Sequence, residues 1–133
     1  MKRLSLLALA VVALAACQTV PTEIDEDLTQ AELIQRAQEA VDQENWEAAI
    51  AYYEAIAERF PDDRTAVATA RYEIAFIEYK RGNIQVAEAG FEELLAMYDF
   101  QGSQLPAWPR VLANKLLEDI RNEESEEPAA DAS

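Results

Sequence analysis

Histidine is absent from this 133-residue chain, cysteine occurs once, glycine three times, and 11 lysines and arginines face 26 aspartates and glutamates. Each scarcity removes a class of chemistry. Without histidine, the commonest general base and the usual activator of a nucleophile are missing. Three glycines supply no glycine-rich loop ahead of a basic residue, so a phosphate cradle has no backbone to form it. A single cysteine excludes an internal disulfide. The net charge of −15 opposes nucleic acid, whose phosphates would be repelled, and opposes a polybasic grip on anionic lipid. Acids are plentiful, and a glycosidase needs only two facing carboxylates. Yet Glu47, Glu54, Glu58, Glu92 and Glu93 lie off the apolar stripes, and Asp62-Asp63 is followed by Arg64 with no calcium-loop spacing. No enzyme, cofactor, metal, nucleic acid or small-molecule substrate is expected.

Alanine, glutamate and leucine dominate what remains, a helix-former's composition. The first seventeen residues stand apart. Lys2 and Arg3 precede an apolar run from Leu4 to Leu14. About a dozen apolar residues are too few to span a bilayer, which needs roughly 20, so the segment reads as a signal and not an anchor helix. Leu14-Ala15-Ala16-Cys17 closes it, and this resembles the lipobox of bacterial lipoproteins. The resemblance implies cleavage after residue 16, lipidation of Cys17 and attachment to a membrane through that lipid. Gln18, where an aspartate would favour inner-membrane retention, points to the outer membrane. Loss of Lys2 and Arg3 with the leader takes the charge from −15 to −17.

Four regions are expected: a signal peptide (1–16), a lipidated flexible spacer (17–27), a helical domain (28–122) and a disordered acidic tail (123–133), which is too polar to bury a core. Thr29-Gln30-Ala31-Glu32 fits a capping box opening a first helix that runs to about Gln43. Glu44-Asn45 makes a corner, with Asn45 either left-handed or capping the next helix. Trp46, Ala49, Ile50, Tyr53, Ile56, Ala57 and Phe60 stripe a second helix that Pro61 stops. A third runs from about Thr65 to Arg81 and ends at Gly82. Asn83 caps a fourth, striped by Ile84, Ala87, Phe91, Leu94, Leu95 and Tyr98, and Asp99 to Gln104 breaks its pattern. Pro106 and Pro109 suit the opening turn of a fifth, whose buried face is expected at Val111, Leu112, Leu116 and Ile120.

The second and fourth helices repeat at an offset of 38, with Ala49 and Tyr53 matching Ala87 and Phe91. Together with Pro61, the Gly82-Asn83-Ile84 turn, and the small Ala37 and Ala75 in the first helices, this resembles tetratricopeptide repeats. Glu44 departs from the turn glycine, Asp99 stands where proline is usual, and the offset exceeds the family's 34, an excess assigned to a longer link around Pro61 to Ala66. The fold expected is all-α: a TPR-like α-solenoid of two antiparallel helix pairs plus a C-terminal capping helix. In that family the first helices of successive units line a groove that holds a peptide or a partner helix. By position, Ile34, Gln38 and Val41 would line it in the first unit, and Tyr72, Phe76, Tyr79 and Lys80 in the second. The same aromatics could instead fill the core between units, and Trp108 could be an exposed contact or a clasp for the fifth helix.

Lipid anchor, repeats and the Glu58 to Pro61 segment together look like outer-membrane assembly lipoproteins of the BamD type, which carry about five units. The expected function is therefore a membrane-anchored adaptor or scaffold for a protein or peptide partner in the cell envelope, facing the periplasm. Two other readings stay open: a structural, self-associating envelope lipoprotein, and a binder of small hydrophobic ligands, which would need a closed apolar pocket.

Overall fold

Thr29 opens the first helix as the sequence predicts: its hydroxyl accepts from the Glu32 amide, and the Glu32 carboxylate accepts from the Thr29 amide at 2.9 Å. The computed structural model describes residues 19–101 and 104–126. Five helices are formed, in the order α1 (Gln30–Asp42), α2 (Trp46–Arg59), α3 (Arg64–Lys80), α4 (Ile84–Gln101) and α5 (Ala107–Glu126). Packing is sequential, α1 on α2, α2 on α3, α3 on α4 and α4 on α5, with α5 also touching α3. That is the order of a helical solenoid, in which each hairpin covers the apolar face its neighbour leaves wet. None of the described helices is long and apolar enough to cross a membrane. The leader (1–16), Cys17, Gln18 and residues 127–133 lie outside the described residues.

Within each pair the connecting turn is the same. Asn45 donates its amide to the Ala40 carbonyl at 2.8 Å and Glu44 to Val41 at 3.0 Å; at the matching positions Asn83 donates to Glu78 at 2.9 Å and Gly82 to Tyr79 at 3.0 Å. These are paired Schellman turns, each needing one residue in the left-handed region. Gly82 meets that need with φ of 80°, and Glu44 meets it with φ of 54°. Asn45 is thus the cap, accepting from the Ala48 amide, while Glu44 takes the left-handed position. A side chain there costs roughly 1–2 kcal/mol, part of which glycine returns through its freer unfolded state. Glu44→Gly is therefore expected to stabilise the fold by about 0.5–1 kcal/mol. Gly82→Ala should destabilise it comparably although its Cβ meets nothing within 4 Å, and thermal unfolding of both variants checks the pair.

The repeat offset has a different origin from the one the sequence suggests. The link between α2 and α3 is short, with Asp63 capping α3 by accepting from the Ala66 amide. The four extra residues lie inside α3, which has 17 residues against 13 in α1. Four residues are close to one helical turn, so Ala75 keeps the facing of Ala37 after the insertion. Both are buried. On α4, Gly90 comes close to α3: a Cβ built on it would lie 3.0 Å from the Ala75 Cβ.

Two buried clusters hold the stack. The first gathers Leu33, Ala37, Tyr53 and Ile56 with Ile77 of α3; the second gathers Tyr72, Ala75, Phe91, Leu94 and Tyr98 with Leu117 of α5. Thus α3 contributes to both, which explains why it is apolar nearly all round.

Three expectations are corrected. On α5, Ile120 is buried and Leu116 packs on the second cluster as expected, but Val111 is 60% and Leu112 40% exposed, and Pro109, Ala113 and Leu117 complete the buried face. Val111 and Leu112 lie off the contact, where the small Ala113 leaves α4 and α5 free to approach. Asp99 does not stop α4 as Pro61 stops α2, so α4 runs on to Gln101. Likewise α5 continues through Glu126, taking in residues 123–126, which the sequence assigns to a disordered tail. At the other end, residues 19–28 carry no helix but are tied to the first pair. Arg59 donates to the Ile24 and Asp25 carbonyls, both at 2.7 Å, Asn45 donates to the Thr19 carbonyl at 3.2 Å, and Ile24 and Leu28 pack on the first cluster.

Candidate partner-binding trough

Between α1 and α3 the chain leaves a trough. No Cα atom of α1 comes within 8 Å of one in α3, and α2 packs on both. The depression, about 480 Å³, has Ile34 and Gln38 on the α1 wall, Tyr53 and Ile56 from α2, and Thr69 and Glu73 on the α3 wall. A hydrogen bond of 3.0 Å from the Gln30 side-chain amide to Asp63 Oδ2 ties the walls together near the starts of α1 and α3. Its volume is that of a site for a few side chains.

The residues expected to line a groove divide. Ile34 and Gln38 are in the trough. Val41 is partly buried against the first cluster. Tyr72 is 6% exposed and belongs to the core, its ring 5.9 Å from Phe76, 5.9 Å from Phe91 and 5.1 Å from Trp108, which meets it edge-on. It cannot present a face to a partner, so its assignment to the groove is corrected. Trp108 thus bridges α5 to α3 through Tyr72 and stays 41% exposed, so it has features of both the clasp and the exposed contact. Phe76 and Tyr79 stack on each other at 6.5 Å and are partly buried beside the second cluster. Lys80 is exposed, with its ammonium 5.0 Å from the centre of the Trp46 ring.

Thr69 and Glu73 are absent from the sequence-based set. Thr65, Thr69 and Glu73 recur every four residues and all line the trough. A polar row on a helix otherwise apolar all round is the signal of its wet face. Glu73 is the unusual member. It is partly buried and has no hydrogen bond or ion pair among the described residues. Burial holds its carboxyl above the ordinary value of 4.5. Burial also raises the Tyr53 and Tyr72 phenols, Tyr53 to about 12, with the Glu73 charge adding to both shifts. By contrast, Asp63 uses both oxygens, and these bonds hold its carboxyl low.

An uncompensated, partly buried carboxylate opposes folding. Because the folded pKa is raised, the neutral acid is the form that folding favours, and the penalty grows as pH rises through that pKa. Glu73→Gln should therefore melt higher than the wild type at pH 7. The two melting temperatures should converge below the ordinary value of 4.5, where both side chains are neutral. Thermal scans across that range test the sign.

A second depression of about 490 Å³ lies on the opposite side of α3, between α2 and α4, lined by Glu54, Glu58, Glu93 and Arg71. It carries its own cation, with Arg71 3.6 Å from Glu93. Among the described residues no group of acids, cysteines or histidines is arranged to hold a metal ion.

Comparison with known proteins agrees with the architecture. A family model described as Tetratricopeptide repeat matches residues 21–104. An uncharacterized protein of Treponema pallidum (strain Nichols) is 38% identical over 97 residues, covering 71% of this chain and 39% of that protein. The chain thus spans well under half the length of this relative. No solved structure matches it. With two helix pairs joined by matching turns, stacked through α3 and covered by the family model over more than half its length, the chain belongs to the tetratricopeptide repeat family, whose repeats serve protein–protein interaction.

Proposed function

We propose that this protein is a lipid-anchored adaptor of the bacterial cell envelope that holds a segment of a protein partner in the trough between α1 and α3. The observation that carries the binding half is the trough itself: walls of Ile34, Gln38, Thr69 and Glu73 above a buried base of Tyr53 and Ile56, unfilled by any of the described residues. Such a mixture suits an amphipathic segment, whose apolar side chains gain by burial while its backbone and polar groups find partners at the rim.

The location half rests on the leader. Lys2 and Arg3, the short apolar run and Ala15-Ala16-Cys17 support cleavage and acylation, and each buried methylene of an acyl chain contributes about 0.8 kcal/mol of membrane affinity. With 26 acids in the chain, the lipid has to supply the attachment. Gln18 favours the outer membrane and a periplasmic domain, the plan of the BamD-type assembly lipoproteins, and a role in outer-membrane protein assembly is the finer form of this reading. Fractionation of cells making Cys17→Ser is expected to move the protein from the membrane to the soluble fraction, or to stall its processing. Membrane retention with normal processing would refute the lipid assignment.

Self-association draws on one specific feature, the exposed Val111 and Leu112 on the outer face of α5. The net charge of −15 works against it, since two copies repel each other. Sedimentation is expected to give a monomer in detergent, and a mass that rises with concentration would favour the self-associating role instead.

A further inference from the structure

We infer that the trough takes a lysine or arginine side chain from the partner segment, its cationic head on the Glu73 carboxylate and its aliphatic stem along Ile34. This rests on the reading of the trough as the partner-binding surface and specifies its chemistry.

Charge complementarity carries the choice of occupant. Among the described residues the trough is lined by two carboxylates, Asp63 and Glu73, and by no cation. Asp63 is consumed by the fold, one oxygen capping α3 and the other accepting from Gln30. Glu73 has no hydrogen bond or ion pair among the described residues, and two phenols, Tyr53 and Tyr72, lie near enough to feel its charge. A carboxylate taken partly out of water without a partner is costly, and an arriving ammonium or guanidinium repays that cost with a charge-assisted hydrogen bond. The long stems of lysine and arginine suit a site with apolar side chains beneath a charged one. An acidic segment would meet both Glu73 and the repulsion of the whole chain, and a purely apolar one would leave Glu73 more buried and still unpaired. The depression across α3 differs on this point, because Arg71 already sits among its acids.

The test uses the full chain in non-ionic detergent and three blocked hexapeptides identical except at one central position: arginine, norleucine or glutamate. Heteronuclear NMR follows the amides of Ile34, Thr69 and Glu73. The arginine peptide is expected to shift these amides and to bind about tenfold more tightly than the norleucine peptide, with the glutamate peptide weakest. Glu73→Gln is expected to abolish the preference while leaving apolar binding in place, and Glu93→Gln, across α3, to keep it. If the peptides shift the trough amides without preference, or if the preference survives in Glu73→Gln, the inference fails and the trough remains a binding surface. If no peptide shifts the trough amides, the inference falls together with the trough reading.

Discussion

Phe91→Ala is expected to cost the fold about 3–5 kcal/mol, while Phe100→Ala, further along the same helix, should change it by less than about 0.5 kcal/mol. The two phenylalanines of α4 differ in environment and hardly at all in chemistry. Phe91 is fully buried, set against Tyr72 of α3 and grouped with Leu94, Tyr98 and Leu117. Phe100 is 87% exposed. Truncation at Phe91 removes the transfer free energy of a large ring and leaves a cavity where α3, α4 and α5 converge, and rigid helices collapse into such a cavity only in part. Domains of this size are stable by about 5–15 kcal/mol, so the loss takes a large share of the total. Urea denaturation followed by circular dichroism reads both variants on one scale. Similar midpoints for the two would mean that α4 presents another face to the stack.

Tyr72→Ala is expected to destabilise by about 3 kcal/mol and Tyr72→Phe by less than about 1 kcal/mol. Burial of the ring matters, because it sits between Phe76, Phe91 and Trp108. The hydroxyl matters little, since among the described residues it makes no hydrogen bond. Truncation also frees Trp108, so α5 should loosen before the first pair does. Hydrogen exchange is expected to show early loss of protection in α5 of Tyr72→Ala, with α1 and α2 unaffected. Loss of partner binding by Tyr72→Ala would therefore report on folding, whereas Thr69→Arg blocks the trough from its rim and leaves the core untouched.

Much of this architecture is legible in the sequence, for local reasons. The capping box at Thr29, the stop at Pro61 and the matching Asn45 and Asn83 all act within a few residues of themselves, and the structure uses each near its expected place. The offset of 38 is legible too, but its cause needs coordinates. An extra turn inside α3 and a longer link before it produce the same spacing, and only the positions of Asp63 and Arg64 separate them.

Faces are harder to read than boundaries. On α5, two stripes compete in the opening turns, and there the one with larger aliphatic side chains, Val111 and Leu112, is the wet one. Which stripe is buried depends on how closely α4 approaches, a property of Ala113 and Pro109 that hydrophobicity does not rank. On α3, aromatic residues point to Tyr72, which faces α4 and α5, when the polar row of Thr65, Thr69 and Glu73 marks the trough. A helix with neighbours on several sides is better read by asking where its polar residues line up.

Site-specific photocrosslinking in membranes of cells making the full chain tests the central claim most directly. A photoreactive residue is placed at Thr69, in the trough, or at Ala89, across α3. Expected is a discrete protein adduct from position 69 and none from position 89. Adducts from position 89 alone would contradict the claim that this stack grips its partner between α1 and α3.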